Sequence, residues 1–214
     1  MISDSVLKAA EMFAEKNSHP DGAHDFSHID RVRKMAVHIA KEEGADIPLV
    51  ELAALLHDVD DHKFLKGEKK VLPWLKKNNI SPSDTQHILT IIDELSFRGA
   101  KVQSKMSSLE GKVVQDADRL DALGAIGIAR ALSYGGFKGI PLHDPSFSPT
   151  LHNSFAEYKK QEGTTINHFY EKLFFLKDLM NTNTAKKLAE HRHAFMEKFI
   201  KEFLDEWKME YKLV

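Results

Sequence analysis

Cysteine is absent from the 214 residues. That excludes a disulfide scaffold, a thiolate metal centre and a cysteine nucleophile, so any metal ligands must come from imidazole and carboxylate. No uninterrupted apolar run approaches the roughly 20 residues needed to cross a bilayer. The N-terminal ISDSVLKAAEMFAEK carries acids where a signal peptide would have an apolar core, so a cytoplasmic protein with no membrane association is expected. Charge of one sign is also missing: 30 basic and 32 acidic residues leave a net charge near -2. Without a basic field, binding to a nucleic-acid polymer is disfavoured, whereas a small phosphorylated molecule needs only a local basic pocket. The chain shows no internal repeat, no low-complexity linker and no convincing strand alternation.

What is present is helical periodicity. Apolar residues recur at three- and four-residue spacing in segments near 3–17, 26–43, 47–61, 68–79, 82–97, 107–133, 151–162, 165–180 and 182–211, which predicts an all-α fold. Phe26, Ile29, Val32, Met35, Ala36, Ile39 and Ala40 form a core stripe, and Gly44 is a natural terminator. Ser81-Pro82 is a helix start of the cap and first-position kind. The length and the 42% hydrophobic content fit one domain over 1–214. The main interruption is YGGFKGIPLHDPSFSPT, residues 134–150, too rich in Gly and Pro for a continuous helix. Its place after the 107–133 segment suggests a lid over a functional site, from which Lys138 would contact a substrate phosphate and His143 would approach a metal.

Among twelve histidines, His57-Asp58 stands out because it ends the apolar run LAALLHDVDD, in which Leu52, Leu55, Leu56 and Val59 recur at helical spacing. A His and an Asp placed in a core are costly without partners, and a cation with further ligands offsets that cost. His28 and Asp118 supply a second imidazole and a second carboxylate. Neutral imidazoles favour Mn, Fe, Co, Ni or Zn, while two carboxylates balance a double positive charge and suit harder ions such as Mg. Four protein ligands leave coordination positions open for water and for a phosphate oxygen.

Read together, AHDFSHIDRV (23–32), LAALLHDVDD (52–61) and VVQDADRLDALGAIGIAR (113–130) resemble the motifs of the HD superfamily of metal-dependent phosphohydrolases. The likeness covers about residues 20–135 and is greatest to the small bacterial YpgQ/YedJ-like group, in which nucleotide pyrophosphohydrolase activity is known. The resemblance implies an HD-type helical bundle with C-terminal helices over 151–214. It implies one divalent ion, Mn first, held by His28, His57, Asp58 and Asp118. It also implies hydrolysis of a nucleoside triphosphate to monophosphate and pyrophosphate. Nucleoside monophosphate phosphatase, alarmone hydrolase and a noncatalytic metal or nucleotide sensor are the alternatives; a two-iron oxygenase would need more ligands than His62 and His87 supply.

Around this set, Asp61 shares the helical face of His57 and Asp58 and resembles the acid that follows the His-Asp pair in alarmone hydrolases. It is the candidate for orienting or deprotonating the attacking water. Arg31, one turn after His28, and Lys63 are placed to border the pocket and balance phosphate charge. His24 is a further candidate phosphate or leaving-group contact. Asp121 lies on the Asp118 side of its helix and Asp116 on the opposite side, so Asp121 is expected to support a ligand histidine or Arg119. Arg119 is expected to tie down an acidic neighbour ahead of binding phosphate. Phe195, Phe199, Phe203, Trp207 and Tyr211, at four-residue spacing, read as a row packed against the core, with a homodimer seam as the other possibility.

Overall fold

The computed structural model describes residues 2–18, 25–60, 67–95, 106–150 and 163–209. Nine α-helices lie among these residues, with no strand: α1 (Asp4–Asn17), α2 (Phe26–Glu43), α3 (Ile47–Leu56), α4 (Val71–Lys77), α5 (Pro82–Leu95), α6 (Leu109–Asp121), α7 (Gly124–Lys138), α8 (Thr165–Glu171) and α9 (Asn183–Trp207). A 3-10 segment, Leu173–Leu179, joins the last two. The all-α expectation holds. The expected 151–162 helix and Tyr211 lie outside the described residues.

Helix α3 is the centre of the bundle. Leu49, Val50, Leu52, Ala53, Ala54, Leu55 and Leu56 are all buried, so it has no solvent face and must be covered on every side. Its covers are α1, α2, α5 and α6. Asp46 caps its start by accepting from the Leu49 N–H, and Pro48 occupies the first turn, where a missing N–H costs nothing. The helix ends at Leu56 and not near residue 61 as the periodicity suggested. The cause lies in the turn that follows, where the Asp60 carboxylate accepts from the backbone N–H groups of Lys70 and Val71 at 2.7 and 3.0 Å. That capture ties the turn to the first residues of α4 and satisfies donors that a helix start leaves open.

Helix α2 packs against α3 and α6, burying His28, Ile29, Val32, Ala36, Ile39 and Ala40. Asp25 caps its start through the His28 N–H, and Gly44 ends it in the left-handed region, φ 72°. The segment expected as one helix over 107–133 is two. Ala122 and Leu123 turn back onto Arg119 and Leu120, and Gly124 adopts φ +71°. Position 127 must also be glycine, since a Cβ there would sit 2.2 Å from the Ala122 oxygen. The break brings α7 back across the end of α6, a change of direction that apolar periodicity does not record.

The Gly-rich part of 134–150 is helical as far as Lys138, with Gly139 as the left-handed cap. The remainder is docked onto α8: Thr165 and Ile166 donate to the carbonyls of Pro141 and Leu142, Asn167 Nδ2 donates to the Phe147 carbonyl, and the Thr150 N–H donates to Glu171. His143 packs edge-on against Phe203 and Trp207 of α9, with ring centroids 6.0 and 5.0 Å apart. The loop expected as a lid is thus docked on the C-terminal helices, and the His143 ring, expected to approach a metal, lies against Phe203 and Trp207.

In α9 the buried stripe is Ala185, Ala189, Met196 and Ile200. The aromatic row lies beside it, with Phe199 and Phe203 packed partly on the core. Phe195 and Trp207 stay 47% and 45% exposed, so core packing accounts for the middle of the row and not for its ends.

Candidate metal centre

Three elements deliver the candidate ligands to one point. His28 is the third residue of α2, and its ring is fully inside because it shares the buried stripe with Ile29 and Val32. His57 follows the last residue of α3, so the most buried helix ends in an imidazole, with Asp58 next to it. Asp118 lies on α6, one turn before its end.

Ligand-type atoms of His28, His57 and Asp58 lie within 4.8 Å of one another and form a possible metal site. His28 Nε2 is 3.4 Å from Asp58 Oδ2, and His57 Nε2 is 3.4 Å from Asp58 Oδ1. Asp118 Oδ1 approaches the same two nitrogens, at 3.6 and 4.0 Å. These separations are too long for strong hydrogen bonds but suit two donors sharing one ion at roughly 2.0–2.2 Å from each. The imidazoles and Asp58 form the closed side, while the Asp118 side chain is 38% exposed and marks the open side from which a substrate would enter.

The outward nitrogens fix which atoms face this point. His57 Nδ1 is 2.7 Å from the Ala54 carbonyl, which can only accept, so Nδ1 carries the hydrogen and Nε2 presents its lone pair inward. His28 Nδ1 is 2.7 Å from Asp121 Oδ2 and donates to that carboxylate in the same way. His57 Nε2 is buried without a hydrogen-bond partner, an arrangement that is costly unless a cation takes the lone pair. Two inward imidazole nitrogens and two carboxylates of unlike exposure are a donor set that fits a divalent ion.

Asp121 is the hub behind His28. Arg31 donates to both of its oxygens from Nε and Nη2 at 2.7 and 3.0 Å, and Arg130 Nη1 lies 3.2 Å from Oδ2. Burial pushes the Asp121 carboxyl up, but His28, Arg31 and Arg130 outweigh it and hold it far below the usual carboxylate range. For His28 burial works against the charged form, and the bonds to Asp121 and Asp58 overcome it, raising the imidazole from 6.5 to about 9. In metal-free protein a proton on Nε2 therefore competes with the cation. Apparent metal affinity is expected to climb with pH, by up to about tenfold per unit, and to level off above about pH 9. Calorimetric titrations in two buffers of different ionisation enthalpy measure the proton released. The same proton stabilises the metal-free fold; that contribution is complete below pH 6.5 and is lost as pH rises through about 9.

The surrounding candidates divide. Arg31 borders the centre, but three of its nitrogens are engaged by Asp121 and by the Ser27 hydroxyl. Arg119 donates to the Leu179 carbonyl and so joins α6 to the 3-10 segment, with Asp116 and Asp118 as its acidic neighbours. Asp116 accepts from both backbone and side-chain donors of Asn181 and Thr182. Its face is opposite to that of Asp118 and Asp121, as the helical spacing required. Lys138 holds its ammonium 5.6 Å from the Tyr134 and Phe137 ring centroids, at the exposed far end of α7. Eight residues separate it from Arg130, about 12 Å along the axis. His87 pairs with Glu110 at 3.7 Å, away from the cluster. His24, Asp61, His62 and Lys63 lie outside the described residues. Arg130 was not anticipated; an isolated arginine in the apolar stretch AIGIARAL was the available signal, because a guanidinium there needs a carboxylate.

An all-helical bundle that converges His28, His57-Asp58 and Asp118 on one point defines a class of metal-dependent hydrolases, and the HD domain family model matches residues 25–123. The chain belongs to the HD domain family and is a metal-dependent phosphohydrolase. It is 39% identical to YpgQ of Bacillus subtilis (strain 168) over 184 residues, 84% of this chain and 82% of that protein. A Lactobacillus plantarum protein of known crystal structure is 45% identical, with TM-score 0.88, over 98% of this chain and 100% of the other. Crystalline B. subtilis YpgQ in complex with ADP superimposes with TM-score 0.73 at 35% identity, over 94% and 96% of the two chains. A Bacillus thuringiensis HD-superfamily hydrolase does so with TM-score 0.72 at 41% identity, over 95% and 97%. No helix among the described residues is long and apolar enough to cross a membrane.

Proposed function

We propose that the protein is a nucleotide pyrophosphohydrolase that converts a nucleoside triphosphate to monophosphate and pyrophosphate with one divalent cation, Mn first, held by His28, His57, Asp58 and Asp118. The observation that carries the reading is the approach of Asp58 and Asp118 oxygens to both inward Nε2 atoms, at 3.4–4.0 Å. A nucleotide as ligand is supported by the ADP held by YpgQ. When bound, the cation supplies Lewis acidity towards a phosphate oxygen and acidifies water.

The protein's own groups do the rest. His57 and His28 stay oriented through Ala54 and Asp121, so no reorganisation is needed when substrate arrives. Asp58 and Asp118 balance the ion's charge, while Arg31 and Arg130 hold the Asp121 carboxylate against His28. Asp61 follows the anchored Asp60 and is assigned the orientation and deprotonation of the attacking water; Lys63 and His24 are assigned to phosphate.

The test is a product-resolved screen of nucleoside tri-, di- and monophosphates with Mn2+ or Mg2+. Stoichiometric monophosphate and pyrophosphate from a triphosphate is the expected result. Orthophosphate as the sole inorganic product would replace the reading with a phosphatase, and binding without product would make the protein a sensor.

A further inference from the structure

The two imidazoles of the centre are held by different kinds of partner. His57 donates to a neutral main-chain carbonyl, whereas His28 donates to an ionised carboxylate. A carboxylate behind an imidazole raises the electron density at the opposite nitrogen as well as fixing the ring. That carboxylate itself sits awkwardly. Asp121 is buried and is the last residue of α6, where the helix dipole opposes a negative charge. It is held there by a bidentate guanidinium from α2, Arg31, and a second guanidinium from α7, Arg130, which the glycine break at 124 folds back over the end of α6.

We propose that Asp121, fixed by Arg31 and Arg130, is a positioning residue that makes His28 the stronger of the two imidazole donors, and that Arg130 acts on the centre through Asp121. This rests on the metal site proposed above. Four donors converge on the two Asp121 oxygens from two helices, α2 and α7, so the carboxylate cannot rotate away from His28 without breaking a charge-assisted bond. Arg31 and Arg130 then act on the ion through Asp121, and His28 serves it by orientation.

The test compares Mn2+ affinity by calorimetry, and the visible spectrum of Co2+-loaded protein, in the wild type, Asp121→Asn, Arg130→Gln and Asp116→Asn. The last is a control, being a buried carboxylate of the same helix that touches none of this cluster. Asp121→Asn is expected to weaken Mn2+ binding by about tenfold or more in the pH-independent affinity, the limit in which proton competition at His28 no longer contributes, and to shift the Co2+ bands. Arg130→Gln, which keeps the Asp121 carboxylate, is expected to show a smaller loss and provides the second measurement should Asp121→Asn fail to fold. Asp116→Asn is expected to melt earlier with affinity and spectrum unchanged. Folded Asp121→Asn, or Arg130→Gln in its place, binding Mn2+ as the wild type does would overturn the inference. So would an equal loss in Asp116→Asn, which would show general loosening of α6. Wild-type protein that binds no Mn2+ would instead overturn the metal site itself.

Discussion

His57→Ala and Asp58→Ala are each expected to abolish turnover while leaving the fold intact. Either change removes a donor from the closed side of the centre, where His28, His57 and Asp58 place their ligand atoms within 4.8 Å of one another. A cation that is lost or displaced takes with it several kcal/mol of transition-state stabilisation. A loss of about 4 kcal/mol already corresponds to about a thousandfold in rate. The fold survives because both residues lie in the turn after α3 and outside the hydrophobic core that α3 itself supplies. The discriminating measurement is melting with and without Mn2+. At a hundredfold excess over its Kd, a bound ion stabilises by about 2.7 kcal/mol, which is several degrees for a domain of this size. That increment should appear in the wild type and vanish in both variants, whose metal-free melting should stay close to the wild type's. Full activity in either purified variant, free of contaminating enzyme, would defeat the assigned site.

The difference between these variants and an ordinary core substitution explains why the centre was readable from the chain. A His-Asp pair at the end of an apolar helical run has few physical excuses, and His28 on a buried stripe has fewer still. Type, burial and motif order point the same way, and the separations of 3.4–4.0 Å are their consequence. Among the described residues helix existence was largely legible too, because a 3.6-residue period survives in any context that has one buried side, though the expected 165–180 helix is α only over Thr165–Glu171 and 3-10 over Leu173–Leu179. Helix ends were not. Asp60 stops the run after α3 by bonding to Lys70 and Val71, and the α6–α7 break depends on Gly124 and Gly127 meeting neighbours far along the fold. The loop after α7 was hard to read for the same reason. Its composition excludes a helix, but only tertiary bonds to α8 and the packing of His143 on Trp207 decide what it covers.

Asp116→Ala should be strongly destabilising and should do little to the chemistry. Two residues from Asp118 and fully buried, Asp116 receives the backbone N–H of Asn181 at 2.9 and 3.1 Å and that of Thr182 at 2.8 Å. It also receives Asn181 Nδ2 and the Thr182 hydroxyl, both at 2.8 Å. These donors form the junction between the 3-10 segment and α9, and Thr182 is in turn the cap of α9 through the Ala185 N–H. Alanine leaves a set of buried donors without an acceptor, at about 1–3 kcal/mol for each that water cannot reach. A total of about 3 kcal/mol lowers the melting temperature by roughly 6–12 °C for a domain of this length. Asn at 116 restores one acceptor oxygen and should recover part of the loss. The C-terminal helices also hold α6 from behind, since Arg119 donates to the Leu179 carbonyl beside the same junction. Amide exchange should therefore quicken first over 173–190 in Asp116→Ala, with protection around His28 and Ala54 retained at temperatures where the variant is folded. Activity per folded molecule should remain near the wild type's, in contrast to Asp118→Ala, which stands on the opposite face of the same helix and should lose turnover while melting normally without metal. If Asp116→Ala instead inactivated the protein at full stability, the division of α6 into a structural face and a metal-facing face would be wrong.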